Sequence, residues 1–293
     1  MQNPAGNIAK ELDHVTATGC RPSQIFDDWL DMTLATLERL PDHARAVAAG
    51  KPMTDTPEVA EMFTRLHSRY QPDWCWTKFS KAFAILMDST WEYADTLGQL
   101  YMEWGVPNKN VGQFFTPYDI SQLMAQLTVN PDAVYDRLQA AYEKSPYGAI
   151  HKMLSPERIP AFVREMGEKI VPLCAEFIEP VTVCDCCCGS GAMLLAAAEQ
   201  FDPWMLDWGL VQFYGQDIDL RCTKMARINM MIYGLNGYGI KCALALSGAE
   251  LAAIPEPWRE KYTEAQQAEQ AGDSERVAEI AVEVGSWKQS VLF

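Results

Sequence analysis

Asp185-Cys186-Cys187-Cys188-Gly189-Ser190-Gly191 is the stretch of this chain whose residue types and spacing point most directly to chemistry. A β-rich run ends in an acid, two glycines follow with one residue between them, and Ala192-Met193-Leu194 begins a helix-forming stretch. A glycine turn between strand and helix lets backbone N–H groups approach a ligand, and the dipole of the helix attracts a carboxylate or phosphate. Gly189 and Gly191 fit that turn, and Asp185 stands where it could accept an amino group. A second acid, Asp217, closes the apolar run Val211-Gln212-Phe213-Tyr214-Gly215-Gln216, about 30 residues on, the length of one strand–helix–strand unit. A carboxylate there can take ribose hydroxyls, with Ile218 beside it able to pack on a base. Structural roles stay open: Asp217 could cap the next helix, and Asp219 could do so equally. Turn, acid and spacing together indicate a nucleotide-type pocket.

The cysteines argue for no metal. Of nine in the chain, Cys184, Cys186, Cys187 and Cys188 crowd one short window, which suits no secreted disulfide scaffold. Adjacent strand residues point to opposite faces, so these thiols do not readily share a tetrahedral ion, and no pair of separated C-x-x-C motifs exists. They are expected to be buried and reduced.

Charge bounds the partners. The chain carries 24 Lys and Arg against 39 Asp and Glu, a net charge of −15. Neutralised phosphates and released counterions supply most non-specific DNA affinity, so strong unaided DNA binding is not expected, and a partner would have to supply it. There is no apolar run of about 18 residues and no basic-then-apolar leader between Met1 and Asp13, from which a cytoplasmic protein without membrane contact is expected.

The elements that must position the two acids follow from periodicity. Residues 180–185 read as a strand, 193–200 as a helix, 211–217 as a second strand, 220–233 as a second helix and 239–246 as a third strand. This βαβαβ order with right-handed crossovers is half of a doubly wound parallel sheet. Residues 118–127 predict a short helix after Thr116-Pro117, and residues 130–177 two more, broken at Ser145-Pro146-Tyr147-Gly148 and Ser155-Pro156. Residues 1–22 read as irregular. Ser23 is placed as the N-cap of a helix over 23–49 carrying Ile25, Phe26, Trp29, Leu30, Leu34 and Leu37. Thr56-Pro57 opens a helix to about residue 70. Phe79, Phe83, Leu86, Met87, Trp91 and Leu97 predict one long helix over 78–104, its aromatic stripe serving as core. Residues 257–284, rich in Ala, Glu, Gln and Lys, read as exposed helix.

A resemblance now narrows the ligand. Gly112-Gln113-Phe114-Phe115-Thr116-Pro117 is similar to the G-[QE]-[FY]-[FY]-T-P segment of the N6-adenine DNA methyltransferases, as found in modification subunits of type I restriction systems. Residues 185–194 resemble that family's D-P-x-C-G-S-G-x-x-L, with Cys186 in place of proline. Tyr214-Gly215-Gln216-Asp217-Ile218-Asp219, with Met225-Ala226-Arg227-Ile228-Asn229-Met230 and Tyr233-Gly234-Leu235-Asn236, looks like the family's second strand and helix. The resemblance implies a Rossmann-like α/β fold dependent on S-adenosylmethionine, with an incomplete parallel sheet behind an N-terminal helical subdomain. It divides the chain into that subdomain over 1–110, a methyltransferase-like domain over 111–250 with a helical insertion at about 130–177, and a helical or flexible tail over 251–293. It assigns Phe115, Thr116, Pro117, Asp185, Cys187, Gly189, Ser190, Gly191, Asp217 and Ile218 to the cofactor.

The departures matter as much. The family holds the exocyclic amine of a flipped adenine with [NDS]-P-P-[YFW], and this chain has no such tetrapeptide. Asp202-Pro203-Trp204, Ser145-Pro146-Tyr147 and Pro255-Glu256-Pro257-Trp258 come nearest, each without the double proline. Cys242-Ala243 replaces the Gly-Asp or Gly-Asn of the third strand, and convincing strands four to seven are missing, which leaves an edge of the first strand to be covered. The resemblance therefore implies a DNA adenine-N6 methyltransferase, or its cofactor-binding part, with catalytic residues unassigned and a specificity or modification subunit as partner. Two alternatives stand beside it: an inactive acidic homologue acting as decoy or regulator of restriction–modification or replication machinery, and a different small-molecule enzyme. Gln289-Ser290-Val291-Leu292-Phe293 is also similar to Q-x-x-L-F peptides that dock on the polymerase sliding clamp, through Gln289, Leu292 and Phe293.

Overall fold

The computed structural model describes residues 3–52, 54–104 and 115–235. The chain divides into two units, Met1–Arg39 with Thr54–Leu244, and Leu40–Met53 with Ala245–Phe293. The predicted third strand, the 257–284 helix and the terminal pentapeptide lie outside the described residues.

The front of the chain is helical from its first turn. Helix α1 (Pro4–Val15) is capped by Asn3, whose side chain accepts from Gly6 N at 2.8 Å, and it buries Ala5, Ile8, Leu12 and Val15 on one face. The expectation of irregular structure over 1–22 is thereby corrected: an Asn-Pro cap and a three-to-four-residue apolar period were both in the sequence. Helix α2 (Pro22–Ala48) starts before Ser23, which lies inside it. Thr56 caps α3 (Pro57–Arg69) as its sequence predicts. The single long helix expected over 78–104 is instead α4 (Asp73–Asp88) and α5 (Thr96–Glu103), because Asp95 caps α5 by accepting from Gly98 N at 2.9 Å. Trp91, assigned to the stripe, falls in the break and is 92% exposed. Of the rest of that stripe, Phe79, Leu86 and Leu97 are buried and Phe83 and Met87 half-buried, in one core with Phe26, Trp29, Tyr70 and Tyr101.

Helix α6 (Tyr118–Thr128) follows Pro117. The two helices expected over 130–177 are four: α7 (Asp132–Lys144), α8 (Pro146–Leu154), α9 (Ile159–Met166) and α10 (Val171–Cys174), with a short 3-10 turn before α9, before α10 and after α10. The breaks at Ser145 and Ser155 fall as expected, and Gly167, at φ 48°, adds another. Strand β1 (Val181–Asp185), α11 (Ala192–Ala198), α12 (Pro203–Asp207), β2 (Val211–Gly215) and α13 (Leu220–Ile232) complete the described chain. The strands pair in parallel from Val181↔Val211 to Asp185↔Gly215.

Helix α13 serves two cores. Ala226 and Met230 pack with β2 and α11, while Cys222, Met225 and Ile228 pack with the N-terminal helices. Along its flank Arg221, Lys224 and Arg227 pair with Asp27, Asp31 and Glu38 of α2. Arg221 is held by both Asp27 oxygens, at 2.5 and 2.8 Å. Partly exposed pairs of this kind contribute about 0–1 kcal/mol each, so they set the register of two helices already joined by burial.

Candidate cofactor site at the strand ends

Parallel pairing brings the ends of β1 and β2 to one edge of the sheet, and their turns bind each other. Gln216 N donates to Asp185 O at 2.8 Å, and Cys188 N returns a bond to Gln216 O at 2.8 Å. Asp217 completes the link: one carboxylate oxygen accepts from Gly189 N and the other from Asp219 N, each at 2.9 Å. Asp219 is the N-cap of α13, accepting from Arg221 N at 2.8 Å. The two roles left open by the sequence therefore separate: Asp219 caps the helix and Asp217 spans the turns.

The glycines have distinct jobs. Gly189, at φ 54°, lies under the Phe115 ring, which a Cβ at that position would meet at 3.2 Å. Phe115 in turn stacks on Tyr101, with ring centroids 5.2 Å apart. Gly191, at φ 92°, starts α11, and a Cβ there would sit 3.3 Å from Ala226 Cα, so it sets how closely α11 approaches α13. Both conformations are ones that residues with a side chain rarely adopt.

Ser190 is a correction. It is 1% exposed, and its hydroxyl donates to the buried carboxylate of Asp95 instead of facing the turn's open side. Asn229 Nδ2 donates to Asp95 Oδ1 at 3.0 Å and to Ser190 O at 2.9 Å. Burial pushes the Asp95 carboxyl up, against the bonds from Ser190, Gly98 and Asn229 that pull it down. The sequence gives little sign of this network: Asp95 lies within the continuous apolar spacing of 78–104, and Asn229 within Met225–Met230.

A second correction concerns the backbone. The turn N–H groups expected to meet a ligand are largely engaged: Cys187 N donates to Asp185 Oδ1 at 3.0 Å, Gly189 N to Asp217, and Gly191 N to Cys188 O at 2.7 Å. Helix α11, at seven residues, also has a short dipole. What the turns present outward is acidic and apolar: the half-buried carboxylates of Asp185, Asp217 and Asp219, the edge of Phe115, exposed Thr116 and Pro117, and Ile218, which is 100% exposed. Pro117 also starts α6, its carbonyl accepting from Ile120 and Ser121 N. Gly112 to Phe114 lie outside the described residues.

The thiols are not the buried set expected. Cys184, Cys186 and Cys187 are exposed, and only Cys188 of the four is buried. Cys184 shares with Thr182 the exposed face of β1, and Cys186 and Cys187 form the turn itself. Among the described residues no group of three or more His, Cys, Asp or Glu could hold a metal ion.

Two of the three segments nearest the missing tetrapeptide are helix starts. Asp202-Pro203-Trp204 opens α12, with Trp204 against Tyr135, and Ser145 caps α8 ahead of Pro146-Tyr147. The third lies outside the described residues. A separate hollow of about 490 Å³ in the N-terminal helices is lined by Arg21, Arg65 and Arg69 together with Asp27 and Asp28. Asp28 ties Arg69 and Asp27 ties Arg221, so its charge is mixed.

A glycine turn and an acid at adjacent parallel strand ends are the arrangement of an α/β nucleotide-type site. Residues 166–252 match the family model described as N-6 DNA Methylase, a stretch that holds both turns and leaves out the Gly112–Pro117 segment. No curated protein and no solved structure matches the chain. Among the described residues no helix is long and apolar enough to cross a membrane.

Proposed function

We propose that the paired turns bind S-adenosylmethionine and that the chain works in adenine-N6 methylation of DNA as a methyltransferase-like protein. The observation that carries this reading is the Asp217 carboxylate, which holds the Gly189 turn and the start of α13 in one unit. A carboxylate has about four lone-pair sites, and two amides leave room for ribose hydroxyls. Asp185 would take the amino group, Ile218 and Phe115 would flank the adenine, and Thr116, Pro117, Cys187 and the Cα surfaces of Gly189 and Gly191 would line the rest. The acidic turns also suit a cofactor carrying ammonium and sulfonium charges. When bound, the cofactor supplies an electrophilic methyl group.

The proposed domain is a Rossmann-like methyltransferase fold over 111–250, behind the helical 1–110 subdomain and ahead of the 251–293 tail. No residue is assigned to the amine, and a partner chain would complete the base pocket and grip the DNA, in keeping with the net charge of −15. A specificity or modification subunit fits that part. Docking on a sliding clamp through Gln289, Leu292 and Phe293 is a further proposal. The second reading, an inactive acidic regulator, is favoured by the net charge of −15.

Calorimetric titration of the full chain with S-adenosylmethionine tests the proposal. Saturable binding is expected, weakened about tenfold or more in Asp217→Ala, which corresponds to about 1.4 kcal/mol. Thermal unfolding of the variant checks that the turn persists. No binding by the folded wild-type chain would remove the cofactor reading and leave the regulator.

A further inference from the structure

The turn assigned to the cofactor is also the most thiol-dense surface among the described residues. Cys184, Cys186 and Cys187 are exposed on it, and the next residue, Cys188, is buried. Cys186 and Cys187 are adjacent in the turn, and the negative charge that Cys186 would carry holds the Cys187 thiol proton more tightly than usual. A bridge between the two would be strained. Neighbouring Cα atoms across a trans peptide lie about 3.8 Å apart, short of the roughly 4.4–6.8 Å usual for bridged cysteines. The backbone must therefore bend for the bond to form, and strained, exposed disulfides are the readily reversed ones.

The backbone that would bend is the one that keeps the turns together. Cys187 N donates to Asp185 Oδ1 at 3.0 Å, Cys188 N to Gln216 O at 2.8 Å and Gly189 N to Asp217 Oδ2 at 2.9 Å. These bonds follow one another residue by residue, so a change in the Cys186–Cys187 peptide reaches both acids assigned to the cofactor.

We propose that Cys186 and Cys187 form a peroxide-sensitive dithiol, and that its oxidation to a disulfide displaces the turn and releases the cofactor. The inference rests on the cofactor reading of the same turn. The Cys186 sulfur, giving up its proton, attacks one oxygen of hydrogen peroxide; the O–O bond breaks, the leaving hydroxide takes that proton as water, and Cys186 becomes a sulfenic acid. The Cys187 sulfur then attacks the Cys186 sulfur; the S–S bond forms, the S–O bond breaks, and the released hydroxide takes the Cys187 proton to leave as water. Two thiols lose two electrons in all, and one peroxide becomes two waters.

The test uses the full chain, reduced and then exposed to hydrogen peroxide. Tandem mass spectrometry after alkylation maps the thiols, and calorimetry measures S-adenosylmethionine affinity before oxidation, after it, and after dithiothreitol. A Cys186–Cys187 peptide lacking two hydrogens is expected, with affinity lowered about tenfold or more and restored on reduction. Cys186→Ser should lose the peroxide response, its affinity being the same before and after peroxide. Oxidation to sulfinic acid without a bridge, a bridge to Cys184, or a bridged turn with unchanged affinity would each overturn the proposal. Mapping needs no cofactor, so a bridged peptide in a chain that never binds S-adenosylmethionine would support the dithiol and reject the cofactor reading.

Discussion

The N-terminal helices and the strand-end turns are stabilised by opposite means. In the first, side chains far apart in sequence meet through apolar area: Phe26 contacts the rings of Tyr101 and Trp104 and is fully buried. In the second, few side chains are buried, and order comes from hydrogen bonds between two turns, Gly189 to Asp217 spanning 28 residues. A region built on area tolerates changes of polar detail but not loss of volume. A region built on hydrogen bonds and left-handed glycines tolerates neither a Cβ nor a lost acceptor, and it can keep polar groups facing a ligand.

The widest separation between the two is expected from Phe26→Ala, which should destabilise the chain by about 3–5 kcal/mol through cavity formation. Urea unfolding followed by far-UV circular dichroism measures it, and a loss under 1 kcal/mol would deny that this core is close-packed. Asp95 lies where the two regions meet. Asp95→Ala strands the Ser190 hydroxyl and Gly98 amide, with an expected loss of about 2–3 kcal/mol. Because burial raises its folded pKa, the folded chain holds this proton more tightly than the unfolded one. Its contribution is therefore fully present below the unfolded carboxyl range, near pH 4, and is lost as pH rises through the folded value. Stability of Asp95→Asn relative to wild type should thus improve as pH is raised from about 4; a flat difference would show that Asp95 does not carry the shift.

Gly189→Ala is the matching test of the turn. A left-handed backbone costs a residue with a side chain about 1–2 kcal/mol, and the added methyl would press on Phe115. Both stability and cofactor affinity should fall, whereas an unaffected affinity would place the ligand elsewhere. Ile218→Ala should show the smallest effect on folding, within about 0.5 kcal/mol for so exposed a side chain, while lowering affinity severalfold. Equal affinities would remove Ile218 from the site.

Legibility followed the same division. Helix α3, β1, β2 and α13 fell within a residue or two of their sequence bounds, because Thr56-Pro57 and the switch from helical to strand period are local signals. The split between α4 and α5 was hidden by continuous apolar spacing and depended on Asp95, whose partners Ser190 and Asn229 lie 95 and 134 residues away. At the site, the turn and both acids were legible as a motif. That Ser190 points inward, that the turn amides are engaged and that three thiols are exposed depend on which atoms meet across the two turns, and residue order does not record that.

Hydrogen exchange read by mass spectrometry, with and without saturating S-adenosylmethionine, tests most directly whether the two turns act as one cofactor site. Peptides covering residues 181–191 and 211–220 should be protected together, and both protections should disappear in Asp217→Ala. Protection of one peptide without the other, or binding that protects neither, would contradict a single site joined through Asp217.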